Sequence, residues 1–301
     1  MKKTKKNAKF ARFYYRCKME IAQQDIFLLC QTIRKVSAYD FSDYSYKSLY
    51  RRVKTILTAN NLTMQTLIEN ISKDYNYLES IVNQITVNTT ELFRDPEIWI
   101  SVRDIIARRY ADAKQLSIWH PGCSSGQEVY SMLMLLNELN MFDRASVFGT
   151  DINEEVLDSA QHGRYKYVDI KEYQPNFDAV INAGRDDSDY VPISKYITSY
   201  PQRGYLQIVP WLVDKPVFAK HNLVGCESFI DQQFDIIMCR NLLIYFNHEL
   251  QNKIIDFFYN KLNNNGLLII GRQESIYGTH SDGFEKYGPL YVKKSRRASM
   301  F

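Results

Sequence analysis

Arg240 and Asn241 follow directly on the apolar run "FDIIMC". Buried without partners, two such side chains would cost about 2 kcal/mol or more each, so they are expected to face a ligand where a strand ends. Two other stretches share that character. In "WHPGCSSGQE" the small residues Gly122, Ser124, Ser125 and Gly126 let a backbone approach a ligand closely just before a helix starts, although the spacing is not GxGxxG. In "FGTDIN", Asp151 closes a strand-like run at the place where dinucleotide-binding folds set an acid against ribose hydroxyls. Asp151 could equally cap the helix that follows it. Upstream, Thr90 and Arg94 in "VNTTELFRDP" share one face if that segment is helical. The five histidines are scattered without HExxH, and the five cysteines form no CxxC. Neither a metal centre nor a disulfide framework is expected.

Positioning these residues requires strands that end together. From about residue 20 to 87, apolar residues recur at spacings of three and four in "DIFLLCQTIRKV", "KSLYRRVKTIL", "TMQTLIENI" and "YLESIVNQI", which reads as a small all-α domain. After Asp95-Pro96 the rhythm becomes β and α in alternation, through "LSIWH", "GQEVYSMLMLLNEL", "ASVFGTD", "NEEVLDSAQHG", "FDIIMCRN", "HELQNKIIDFFYNKL" and "GLLIIG", with "LYVKK" as an edge strand. Short apolar strands separated by helices imply an α/β fold with a largely parallel, doubly wound sheet. Between about residues 172 and 218 that rhythm breaks into a Tyr-, Pro- and β-branched-rich stretch, read as an inserted β-subdomain.

Composition narrows the function classes. The first eighteen residues carry eight Lys or Arg and no acid, whereas the remainder has 30 basic against 34 acidic residues. The net charge of +4 therefore belongs to a basic tail, residues 1–19, and gives no ground for expecting nucleic acid as a partner. No apolar run is long enough to span a bilayer, and no apolar stretch follows the basic start as in a signal peptide. A cytoplasmic, monomeric protein is expected. Lys47, Arg51 and Lys54 share a helical face, with Arg52 beside it. That face is either solvated or a docking surface for an acidic partner.

Taken in order, "DYSYKSLYRRVKTIL", "TVNTTELFRDPEIW", "IWHPGCSSGQEVYSMLM", "GTDINEEVLDSAQHGRY", "HNLV" and "FDIIMCRNLLIYFNHELQNKII" resemble the CheR-type chemoreceptor glutamate O-methyltransferases. The resemblance implies a class I, Rossmann-like methyltransferase domain over residues 88–301, preceded by the helical domain and carrying the β insertion. It implies S-adenosylmethionine as cofactor, S-adenosylhomocysteine as product, and glutamates on the cytoplasmic domain of chemoreceptors as substrate. By motif position, Asn88, Thr90 and Arg94 would close over the cofactor, with Gly122, Glu128 and Asp151 binding it. Asn222 and Leu223 would flank the adenine, and Arg240, Asn241 and Tyr245 would line the pocket near the methionine part and the entering glutamate. Arg94 and Tyr245 would be the catalytic pair. Lys47, Arg51, Arg52 and Lys54 would form the receptor-facing surface. This chain has Gln127 where the family usually has Glu in its loop, and Gly271-Arg272-Gln273-Glu274 where the family often has Gly-His-Ser-Glu. A non-catalytic scaffold that binds the cofactor or receptors is the alternative. A nucleic-acid methyltransferase fits poorly, because Cys239-Arg240-Asn241-Leu242 replaces the Asp/Asn-Pro-Pro-Tyr/Phe of amino-methylating enzymes.

Overall fold

A computed structural model of the chain describes residues 21–86, 90–168, 170–278 and 280–295. The basic tail and Asn88 lie outside them. The chain divides into two compact units, one of residues 1–87 with Tyr245–Leu250, the other of residues 88–244 and 251–301.

The first unit is built on four amphipathic helices, α1 (Gln23–Val36), α2 (Tyr46–Asn60), α3 (Met64–Lys73) and α4 (Tyr75–Ile85). Each buries a three-and-four-spaced stripe, such as Leu49, Val53, Ile56 and Leu57 on α2. Thr63 caps α3 by accepting from the Thr66 N–H, and Asp74 caps α4 by accepting from Asn76 and Tyr77. This unit includes a stretch that the sequence places in the other domain. The Tyr245 carbonyl accepts from the Ser45 N–H at 2.8 Å, and Asn247 bonds Asp43 through backbone and side chain.

The second unit begins with α5 (Pro96–Arg109) and is centred on a seven-stranded sheet. Its strands are β1 (Leu116–Pro121), β2 (Ala145–Asp151), β6 (Val217–Lys220), β7 (Phe234–Cys239), β8 (Leu262–Ile270), β9 (Phe284–Tyr287) and β10 (Leu290–Lys293). The order is β6-β2-β1-β7-β8-β10-β9, parallel through β8 and antiparallel for the last two strands. The run "LYVKK", expected at the edge, is an inner strand. Gly288, at φ +62°, turns β9 back beside it to form the edge. Helix α6 (Gln127–Glu138) is buried on nearly every face, as its apolar circumference requires, and α7 (Glu154–His162) and α8 (His248–Lys261) complete the α/β alternation.

The insertion forms a separate antiparallel sheet, β3 (Arg164–Lys166), β5 (Tyr205–Ile208) and β4 (Ile197–Tyr200), in the order β3-β5-β4. It starts earlier than expected, at Arg164, and residues 217–218 belong to the main sheet. Glu138, at the end of α6, ties the insertion down. It receives Lys195 at 2.6 Å, Arg185 at 2.9 Å and the Tyr196 hydroxyl.

Burial opposes ionisation of Glu138, but the hydrogen bonds from Lys195 and Tyr196 and the charges of Lys195 and Arg185 together hold its carboxyl below the ordinary value. A depressed native pKa contributes stability above the unfolded value, lost as pH falls through the native one. Glu138→Gln is expected to lower unfolding free energy by about 1–2 kcal/mol at pH 7, with the gap to the unaltered protein closing below about pH 4. Urea denaturation at the two pH values checks this, and an equal gap at both would refute the assignment.

Candidate functional site

Strand order reverses between β1 and β7, and the carboxyl ends of β1, β2 and β7 carry the polar residues singled out from the sequence. Such a switch point is where open α/β sheets leave a crevice for a ligand. After β1 the chain turns through Gly122 at φ +69°, Ser124 at +50° and Gly126 at +81° before entering α6. A Cβ on Gly122 would lie 2.6 Å from Leu242 Cδ2, and one on Gly126 would lie 2.8 Å from the Ala160 Cβ. Both glycines are thus fixed by conformation and by close packing.

Asp151, at the end of β2, is buried. Its Oδ2 accepts from the Ser124 N–H at 2.9 Å and its Oδ1 from the Asn153 N–H at 3.0 Å. The cap of α7 is Asn153, which accepts from Glu155 and Val156, so Asp151 does not cap that helix. Burial pushes the Asp151 carboxyl above its ordinary value despite these backbone donors. The Ile152 N–H acts on the same carboxylate, which with about four acceptor sites keeps room for a further hydroxyl donor.

Arg240 closes the opposite side. Its guanidinium, 1 % exposed, donates to Glu128 Oε2 at 3.1 Å, to Asp95 Oδ2 at 2.5 Å and to the Arg94 carbonyl at 2.8 Å. The other Glu128 oxygen meets Nδ1 of the fully buried His120 at 3.1 Å. Arg240, expected to line the pocket, spends its charge on protein groups and braces the two segments carrying Glu128 and Arg94. The Arg94 segment is pinned as well: the Phe93 N–H donates to Ser131 Oγ at 2.9 Å, and Phe93 packs on Trp99 and Phe177. Phe93 and Asp95 both adopt left-handed backbone, at φ +50° and +56°, before Pro96 opens α5. The expected helical pairing of Thr90 with Arg94 does not occur, because residues 90–95 form a turn.

Asn222 caps a short helical turn by accepting from the Val224 N–H, with Leu223 buried beside it. Asn241 is half-buried in left-handed backbone at φ +57°. Tyr245 belongs to the helical unit. Among the described residues, no group of three or more His, Cys, Asp or Glu is arranged to hold a metal ion.

The family model described as CheR methyltransferase, SAM binding domain, matches residues 88–290. The chain belongs to the CheR methyltransferase family. It is 33 % identical over 263 residues to a protein named as methyltransferase Cher3 in Pseudomonas putida, covering 87 % of this chain and 92 % of that one. It is 27 % identical to the chemotaxis protein methyltransferase of Escherichia coli K12, covering 78 % and 77 %, and 28 % identical to that of Borreliella burgdorferi, covering 75 % and 81 %. Family membership makes the second unit a class I methyltransferase domain that uses S-adenosylmethionine. The glycine-cradled loop and the buried acid of β2 suit a ligand with an adenosyl group.

Three residues of this edge were not legible in sequence as site residues: His120, Asp95 and Glu274. His120 carried the same signal as Asp151, a polar residue at the carboxyl end of an apolar strand. Asp95 carried the signal of an acid before a helix-opening Pro.

Arg240→Met and Asp95→Asn are expected to be non-additive, with a coupling of about 1–3 kcal/mol in a double-mutant cycle of unfolding free energies. Strict additivity would show that the short contact contributes nothing.

Proposed function

We propose that the protein esterifies glutamate side chains on the cytoplasmic part of chemoreceptors, with S-adenosylmethionine as methyl donor. The observation that carries this reading is the Asp151 carboxylate, buried against the glycine loop at the switch point of a CheR-family domain. Its remaining acceptor capacity would take a ribose hydroxyl. Asn222 and Leu223 would flank the adenine. Thr90, Glu128 and Asn241 would meet the methionine part, with Gly122 letting the backbone come close. The family resemblance assigns the same end to Asn88.

When bound, the cofactor supplies a methyl group on a sulfonium, open to in-line attack by an oxygen nucleophile. A glutamate of pKa about 4.3 is ionised at neutral pH, so the chain needs no general base. Its task is to orient that carboxylate and exclude water from it, by positioning and electrostatics. Arg94, fixed through its own carbonyl by Arg240, would orient the entering carboxylate. On α2, Lys47 and Arg51 are exposed and Lys54 and Arg52 half-buried, a basic surface suited to acidic receptor helices.

Incubation with methyl-labelled adenosylmethionine and receptor-bearing membranes is expected to place label on protein, released as methanol by mild base. Arg94→Ala should lower transfer by about 100-fold while changing cofactor affinity by no more than a few-fold. Base-stable label would point to another acceptor atom, and cofactor binding with no label would favour the scaffold reading.

A pH dependence follows from Asp151. Ribose hydroxyls donate to its ionised form, so protonation opposes binding, and the raised carboxyl value brings that competition to a higher pH than for an ordinary aspartate. Adenosylmethionine affinity is expected to weaken as pH falls through the raised value. In Asp151→Asn it should be about tenfold weaker at neutral pH and less dependent on acid. Calorimetric titrations from neutral pH down into the acid range where the protein stays folded read both effects, and an unchanged profile in the variant would remove Asp151 from the ribose.

A further inference from the structure

Glu274 has no assigned role in the reaction, yet it occupies a defined place at the same edge. It is buried in the turn after β8. Its Oε2 accepts from the Gly271 N–H at 2.6 Å and from the Asn241 N–H at 3.0 Å, and its Oε1 accepts from the Ile244 N–H at 3.3 Å. One carboxylate thus joins the ends of two neighbouring parallel strands, whose last paired residues are Cys239 and Ile270. Asn241 takes up left-handed backbone immediately after Arg240. A chain reversing that sharply leaves N–H groups turned inward, and these are the ones Glu274 satisfies. Gly271 completes the arrangement. A Cβ there would fall 2.7 Å from Glu274 Oε2, 2.9 Å from the Asn241 nitrogen and 3.0 Å from its Nδ2, so only glycine lets the acid reach the turn. Burial raises the Glu274 carboxyl above its ordinary value, and the backbone donors of Gly271, Asn241, Ile244 and Leu243 act against that rise.

We infer that Glu274, admitted by Gly271, is a positioning residue for cofactor binding: by accepting three backbone N–H groups it fixes the Arg240-Asn241 turn in its ligand-binding conformation. This rests on the strand-end site proposed above. The amide of Glu274→Gln keeps the volume but replaces one acceptor oxygen with a donor, setting N–H against N–H.

A control exists at the opposite end of β7. Asp235 also joins neighbouring strands, accepting from the Ser117 N–H at 2.8 Å and from Asn263 Nδ2 at 2.8 Å, but at the amino end of the strand. Dissociation constants for adenosylmethionine and adenosylhomocysteine, KM for receptor membranes, and melting temperature would be measured for Glu274→Gln, Gly271→Ala, Asp235→Asn and Asp151→Asn. The expected result is about tenfold weaker cofactor binding in Glu274→Gln with receptor KM within about twofold, because preorganisation of the cofactor edge is lost and receptor contacts are not. Gly271→Ala should move in the same direction, which preserves the test if Glu274→Gln fails to fold. Asp235→Asn should lower the melting temperature and leave the dissociation constants unchanged. If Asp235→Asn weakens the cofactor as much as Glu274→Gln, the effect is general destabilisation and the inference falls. If both turn variants bind normally while Asp151→Asn binds weakly, Glu274 loses its role and the site reading stands. Normal binding in Asp151→Asn as well would overturn both.

Discussion

The buried guanidinium of Arg240 is the constraint on which the edge of the second unit depends. Three chain segments remote in sequence converge on it: the turn before α5 through Asp95 and the Arg94 carbonyl, the start of α6 through Glu128, and the end of β7 through its own backbone. A guanidinium suits this place because its planar fork addresses several acceptors at once without changing protonation state. Removing water from that charge is expensive, and the cost is offset only because two carboxylates and a carbonyl replace the lost hydration. Lysine could not repeat the geometry. Through this arrangement one side chain holds both Glu128 and the Arg94 backbone.

The other acids of this edge work differently. Glu128 meets a cation, whereas Asp151 and Glu274 accept mainly from backbone N–H groups of the turns beside them. Strands that end at a crevice must turn, and their turns expose donors that no ladder satisfies. A carboxylate with two oxygens can satisfy several such donors from one position. The cost of burial appears as raised carboxyl values in both residues. Loop stiffness is the return: Ser124 and Asn241, both in left-handed backbone, are each held through their own N–H. Preorganised loops lose less entropy when a flexible ligand is ordered against them.

The sequence discloses this architecture unevenly, for physical reasons. Short apolar strands alternating with helices identify the doubly wound sheet, because burial on both faces demands near-continuous hydrophobic runs. The placing of "LYVKK" fails because pairing partners, not composition, decide which strand is the edge. The insertion boundary is blurred because Arg164–Lys166 is short, with a basic residue on either side of Tyr165, and directly follows a helical segment closed by Gly163. Asp151 is visible as a strand-terminal acid with a local Asn153 donor, but its other partner is not visible, since the Ser124 N–H lies 27 residues away. Arg240 is visible as an anomaly and its contacts are invisible: Asp95 is 145 residues distant and Glu128 is 112. Long-range charge pairing leaves no local pattern, so an arginine that braces the protein and one that faces a ligand look alike in sequence.

The carboxyl methylation proposed above would suit a site made in this way. Transfer to a group already ionised at neutral pH needs no activated nucleophile and no proton relay, so nothing need be poised near neutrality. The two thiols next to the crevice agree with that demand. Burial pushes Cys123 and Cys239 far above the ordinary thiol range, which leaves them as small apolar fillers instead of reactive thiolates. What the reaction does require is that a carboxylate, a methyl group and a sulfur lie in line. Alignment of that kind comes from turns that cannot relax, and here they are fixed by one buried guanidinium and two buried carboxylates. On the function proposed above, rigidity at the strand ends would be the catalytic resource, and Arg240, which sequence reasoning assigns to the ligand, contributes to it by bracing the chain.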